Sequence, residues 1–245
     1  MANAKEEYNK IAEGYSQATI RPMRKLAYEP TIKQAIGSLK GKKVLDLACG
    51  EGVSSRMMKE LGAKEVVGLD VSEALIQKAN ETGGEGIKYL VKDCIKEDIS
   101  NLGKFDVVTA IMFLHYAKSK DQLRNVIKNI KKTLISGGIF CTLTVNPETL
   151  KSGYKNYGIK LSKVKKEGDS VIVELNDFNW NKFCEFTIFY WDKETYTKIL
   201  EEEGFIVEWL PGIVSNSGLD EYGEEFWKTY LENPPYSMIK ATLNK

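Results

Sequence analysis

The 245-residue chain has one histidine, His115. A zinc site built on imidazoles is therefore not expected. Its four cysteines, Cys49, Cys94, Cys141 and Cys184, lie far apart and form no C-x-x-C pair. The N-terminal stretch "MANAKEEYNKIAEGY" lacks the apolar core of a secretory signal. Read together, these features predict reduced thiols and a cytoplasmic location. No run approaches 18 apolar residues, so no membrane span is expected. Basic excess is missing as well. A formal net charge of +1 argues against a dedicated nucleic-acid binder, while leaving room for a local basic patch. There are no internal repeats and no low-complexity segments.

What remains is an ordinary globular composition, 42% hydrophobic and 28% charged, enough for one large domain or one domain with an elaboration. Tyr8, Ile11, Ala12 and Tyr15 share one face of a helix predicted over 5–15, and a second helix is predicted over about 28–39. A regular rhythm then begins. Apolar strands are expected at 43–48, 65–70, 87–93, 105–112 and 139–145. Between them lie helical stripes, one carrying Val53, Met57, Met58 and Leu61 and another carrying Leu123, Val126, Ile127, Ile130 and Leu134. Ser72 and Asp192 stand where helix N-caps belong. Strands alternating with helices imply βαβ units and a mainly parallel sheet covered on both faces.

The rhythm breaks after Pro147. "YGIKLSKV", "SVIVEL" and "KFCEFTIFYW" alternate like strands of a small antiparallel elaboration. A helix after Asp192, a strand "FIVEWL", a short helix, a Pro-Pro loop and a last strand follow. The expected organisation is a single domain over 1–245: a helical cap (1–42), a core (43–146), an antiparallel lid insertion (147–191) and the C-terminal part of the sheet (192–245).

In an open α/β sheet, ligands bind beyond the carboxyl ends of the strands. The first strand there runs into "VLDLACGEG", and Asp70 ends the second strand 20 residues after Gly50. An acid at that spacing suits ribose hydroxyls, so an adenosine-bearing ligand is the first candidate. The loop does not fit G-x-G-x-x-G, and it carries Asp46 and Glu51. Like charges about 4 Å apart oppose each other by roughly 4 kcal/mol at an effective dielectric near 20. Such a loop disfavours a pyrophosphate and suits a cationic adenosine cofactor. S-adenosylmethionine (SAM) has an ammonium, a sulfonium and no phosphate. A bland glycine turn with solvated acids is the competing reading of the loop alone.

"VLDLACGEG" followed by "VVGLDVSEALIQKA" resembles the class I SAM-dependent methyltransferases, with Ala48 standing where their first loop glycine usually is. The resemblance implies a Rossmann-like, seven-stranded, mostly parallel sheet with an antiparallel last strand. It implies that Gly50 and Gly52 let the backbone approach the cofactor, that Asp46 lies near its ammonium, and that Asp70, beside Val71, holds the ribose. Asp93 and Cys94 match the adenine-contacting position, and Met112 lines the methionine end. The segments "YNKIAEGYSQA", "WDKETYTKILEEEGF" and "EEFWKTYLENPP" are similar to small-molecule methyltransferases of the toxoflavin-biosynthesis type. A small-molecule methyl acceptor is therefore expected, with transfer to nitrogen or oxygen and no nucleic-acid partner. A nucleic-acid methyltransferase, a NAD-dependent oxidoreductase and a non-catalytic SAM sensor are the alternatives.

His115, in "AIMFLHYA", is the candidate general base, with a structural hydrogen bond as the alternative. Tyr15 and Arg24 either close over the cofactor or belong to a packing face and a solvated surface. Tyr154, Tyr157, Phe189, Tyr190, Trp191 and Trp227 either line an acceptor pocket or pack the elaboration's core.

Overall fold

Strand β1 (Lys43–Leu47) shows why the core strands read as unbroken apolar runs. Val44 packs into the core on one face of the sheet, while Leu45 and Leu47 pack into the core on the other, all three fully buried. A strand with helices on both sides has no solvent face, so period-2 alternation disappears. The computed structural model describes residues 22–146, 154, 157–177 and 179–245; the helix expected over 5–15, with Tyr8 and Tyr15, lies outside them.

The large sheet has seven strands. In chain order they are β1, β2 (Glu65–Asp70), β3 (Ile87–Val91), β4 (Phe105–Ala110), β5 (Leu134–Val145), β9 (Phe205–Leu210) and β10 (Tyr236–Leu243), in the spatial order β3-β2-β1-β4-β5-β10-β9. β1 to β5 pair in parallel, and β10 runs antiparallel to both neighbours. The expected sheet and its antiparallel last strand are therefore present. A second, three-stranded antiparallel sheet is inserted after β5: β6 (Ile159–Leu161), β7 (Ser170–Asn176) and β8 (Lys182–Phe189).

The helices are α1 (Glu29–Ile36), α2 (Val53–Glu60), α3 (Glu73–Thr82), α4 (Lys120–Thr133), α5 (Lys193–Glu202) and α6 (Asn216–Glu232). Ser72 and Asp192 cap α3 and α5, their side chains accepting from the Leu75 and Thr195 amides. Three boundaries differ from the sequence expectation. α1 stops at Ile36 because Gly37 takes a positive φ of 69°, and a π-helical turn (Arg24–Tyr28) precedes it. Leu134 leaves α4 and begins β5, whose register against β4 shifts where Gly137 adopts φ 72°. The C-terminal helical region is two short helices, not one: the α6 segment is broken by a kink at Gly223, whose φ of 76° and ψ of 162° are not helical.

The inserted sheet keeps the alternation that the core strands lose. Val171, Val173 and Leu175 on β7 face Ile188, Phe186 and Cys184 on β8, and all six are buried. Its inner face packs on the end of the large sheet with Tyr236, Met238, Trp227 and Tyr230. Tyr157 stacks on Trp227 and donates its hydroxyl to the Phe226 carbonyl, tying the insertion to α6.

Candidate functional site

The chain order reverses direction between β1 and β4, the position where open sheets leave a crevice. A cleft lies there. Its floor consists of the four loops that leave β1 (Ala48–Ser54), β2 (Asp70, Val71), β3 (Lys92–Ile95) and β4 (Ile111–Phe113). Tyr28 and Ile32 of the N-terminal helical segment, Tyr116, Leu175 and Phe186 of the inserted sheet, and Tyr236 of β10 close its other side.

Asp70 is the keystone of the floor. Its Oδ2 accepts from the Gly50 amide and its Oδ1 from the Ser72 amide, both at 2.9 Å. One carboxylate thus latches the first loop to the second. Each oxygen retains a further lone pair for a ligand hydroxyl. Burial raises the Asp70 pKa against the pull of the two amides.

Gly50 and Gly52 have different roles. Gly50 has φ 57°, and a Cβ there would meet nothing, so its backbone is bare toward the cleft. Gly52 does not line the cleft. It forms the α2 N-cap at φ 83°, and a Cβ there would collide with the Tyr89 ring, whose Cζ would lie 2.7 Å away. Gly68 makes room for the same ring, since a Cβ there would lie 2.8 Å from Tyr89 Cδ1.

Asp46 lies beneath the floor, fully buried, and is not among the cleft-lining residues. Its Oδ2 accepts from the Ser54 and Ser55 hydroxyls at 2.7 and 2.6 Å, and its Oδ1 accepts from Thr109 at 2.8 Å. Burial raises its pKa, while the three hydroxyls and the Arg24 charge pull it down. Asp46 thereby fastens β1 to β4 and to the start of α2.

Ala48, Val71, Asp93, Cys94, Met112 and Arg24 all line the cleft. Ala48 (φ 53°) and Met112 (φ 60°) both sit in the left-handed region. That conformation costs roughly 1–2 kcal/mol for a residue with a side chain, and such strain clusters at ligand sites. It also explains why a glycine is the usual residue at the Ala48 position. Asp93 accepts from the Ile95 and Lys96 amides and pairs with Lys96 Nζ at 2.9 Å, which fixes the β3 loop. Burial pushes the Cys94 thiol up to about 12, so it faces the cleft as an apolar, unreactive surface.

His115 is brought near this cleft without lining it. It lies on the 3₁₀ turn Leu114–Tyr116, 2% exposed, and burial pushes its pKa down to about 3. A histidine in that state is neutral at physiological pH. Among the aromatic candidates, Trp191 and Trp227 are core, donating to the Ala117 and Gly218 carbonyls.

The lining residues missed in the sequence include Tyr28, Ile32, Tyr116, Leu175, Phe186 and Tyr236. The sequence placed Leu175 and Phe186 on strands of the elaboration, but a strand assignment carries no information about what lies beneath either face.

Comparison with known proteins agrees with this geometry. Residues 44–138 match the family model described as a methyltransferase domain. The chain is similar to an mRNA cap guanine-N(7) methyltransferase of Caenorhabditis briggsae, 34% identical over 111 residues, covering 40% of this chain and 29% of that protein. It is also similar to a ubiquinone biosynthesis O-methyltransferase of Bordetella avium, 31% identical over 123 residues, covering 48% and 49%. The chain thus spans less than half the length of either curated relative. Its fold is shared with an S-adenosylmethionine dependent methyltransferase from Mesorhizobium loti, with a TM-score of 0.65 at 19% identity, covering 92% of this chain and 99% of the other. Residues 44–138 thus carry the match to a methyltransferase domain, within a fold that the chain shares with a solved SAM-dependent methyltransferase.

Proposed function

We propose that the protein transfers the methyl group of SAM to a nitrogen or oxygen of a small molecule, in a reducing cytoplasm. The cleft fits the cofactor: Gly50 offers bare backbone, Asp70 offers acceptors for ribose hydroxyls, and Arg24 offers a cation at the N-terminal side. Bound SAM would supply a methyl group activated by a cationic sulfur. The chain's own residues would then bind, orient and exclude water. Asp70 and the Gly50 backbone hold the adenosine half, Asp93 and Cys94 flank the base, and Arg24 faces the carboxylate. Met112 and Tyr116 form the wall toward the acceptor, and Leu175 and Phe186 shield it from solvent as a lid.

The observation that carries the small-molecule reading is the charge and closure of this cleft. Among the described residues, Glu29, Glu51, Asp70 and Asp93 line it against only Arg24 and Lys92, and apolar residues of the inserted sheet wall it. A phosphate-rich polymer needs the opposite sign of field. The sequence likeness to toxoflavin-type enzymes points the same way. The cap methyltransferase relative favours RNA as a second reading.

Calorimetry with S-adenosylhomocysteine and with NAD tests the cofactor, and NAD binding alone would overturn it. Transfer of labelled methyl from SAM to a metabolite extract and to RNA tests the acceptor. Labelling confined to RNA would overturn the small-molecule reading.

A further inference from the structure

A second, smaller cavity lies between the ends of β4 and β5 and the inner face of the inserted sheet. It encloses about 20 Å3, room for roughly one water-sized group. Met112, Phe186 and Tyr236 line both it and the cofactor cleft, so the two share walls on the acceptor side. Aliphatic side chains of β6–β8 supply most of the remaining surface. Tyr154 also borders it, but its hydroxyl is committed to the Asn233 carbonyl at 3.0 Å.

His115 is the exception in this lining. Among the described residues, neither its Nδ1 nor its Nε2 has a hydrogen-bond partner, although the side chain is 2% exposed. Buried polar atoms are nearly always paired, so two orphaned nitrogens on one ring beside a cavity call for a partner that the described residues do not supply.

We propose that this cavity is the inner end of the acceptor site, and that His115 binds the acceptor there through an uncharged hydroxyl carried on an apolar body. The inference rests on the methyl-transfer reading above and adds the chemical class of the acceptor. A neutral imidazole presents one donor and one acceptor, and a hydroxyl has both to return. A charged group would enter an aliphatic wall with no counter-charge. A purely apolar group would leave the ring unpaired. The hydroxyl is the atom that anchors the acceptor, and the methylated atom lies toward Met112, where the two cavities meet.

Because His115 is the only histidine, protein labelled with 15N-histidine reports on this ring alone. Phenol, toluene and benzoate serve as probes, each added with and without S-adenosylhomocysteine. Phenol is expected to shift the ring nitrogen signals, and toluene and benzoate to leave them in place. His115→Phe is expected to weaken phenol binding at least tenfold, with S-adenosylhomocysteine affinity changed less than threefold. His115→Gln keeps one donor and one acceptor and should recover phenol binding to within threefold of the parent. Ring signals unmoved by phenol, or moved equally by benzoate or toluene, would overturn the proposal, as would undiminished phenol binding by His115→Phe. Ring signals that show a fixed hydrogen bond indifferent to every probe would overturn it too, marking a structural water site. Failure of S-adenosylhomocysteine to bind would instead overturn the cofactor reading, and the phenol arm without it is read independently.

Discussion

The two walls of the cleft are built on opposite principles. On the floor, polar groups are partnered within the chain: Asp46 by three hydroxyls, Asp70 by two amides, Asp93 by two amides and a lysine. Opposite, the inserted sheet presents aliphatic and aromatic side chains, and next to it stands the one imidazole, with neither nitrogen paired among the described residues. A fully satisfied polar network is rigid and specifies one geometry. An apolar wall selects by shape and by the single polar group it leaves open. Under the proposed function, the rigid floor would hold the cofactor and the opposite wall would select the acceptor.

The largest expected effect tests the rigidity of the floor. Gly52→Ala combines a left-handed φ with a collision against the Tyr89 ring. It should destabilise the fold by about 2–5 kcal/mol, measured by urea unfolding. Pairing it with Tyr89→Leu should give less than the sum of the two single effects. Strict additivity would mean that the ring is not what Gly52 makes room for.

Asp70→Ala should weaken S-adenosylhomocysteine binding at least tenfold by calorimetry, because hydrogen bonds to a charged acceptor contribute roughly 1.5–3 kcal/mol. The loss has two sources, the ribose contact and the latch on Gly50. Unchanged affinity would remove Asp70 from the site.

His115 gives a pH signature for the opposite wall. Its folded-state pKa, about 3, lies below the ordinary value of 6.5. As pH falls below 6.5 the unfolded chain takes up the proton first, so stability present above 6.5 is lost progressively toward pH 3. The expected slope is about 1.4 kcal/mol per pH unit. Unfolding of the parent and of His115→Gln, compared between pH 7 and 5, should differ by that slope; parallel curves would mean that the ring is not held neutral by burial.

The smallest effect concerns Ala48. Replacing it with glycine relieves a left-handed strain of roughly 1–2 kcal/mol but adds unfolded-state entropy worth about 0.4–1 kcal/mol. Ala48→Gly should therefore stabilise by about 0.5–1 kcal/mol in thermal unfolding. A loss of stability would show that the Ala48 methyl contributes packing that outweighs its strain.

The first two loops of the floor were legible in the sequence because they are local. A strand, a glycine loop, an N-cap serine and an acid at the end of the next strand lie within 30 residues, and parallel pairing of β1 with β2 brings them together. The functions of individual residues were less legible. Asp46 and Gly52 belong to the same motif as Asp70 and Gly50, yet they turn to the protein interior. Strand periodicity reverses at each residue, and a loop leaves no period from which to read direction. The opposite wall was harder still, since Tyr28, Phe186 and Tyr236 are separated by more than 200 residues from first to last.

By itself, the sequence determined the alternation of strands and helices, the antiparallel insertion and the choice of a cationic adenosine cofactor, since each depends on hydrophobic period or on charge at short spacing. Only the tertiary structure decided which acids face the cleft and which are buried under it. It alone placed a buried His115 beside a small, largely apolar cavity with no ring-nitrogen partner among the described residues, because burial and pairing are properties of neighbours distant in the chain.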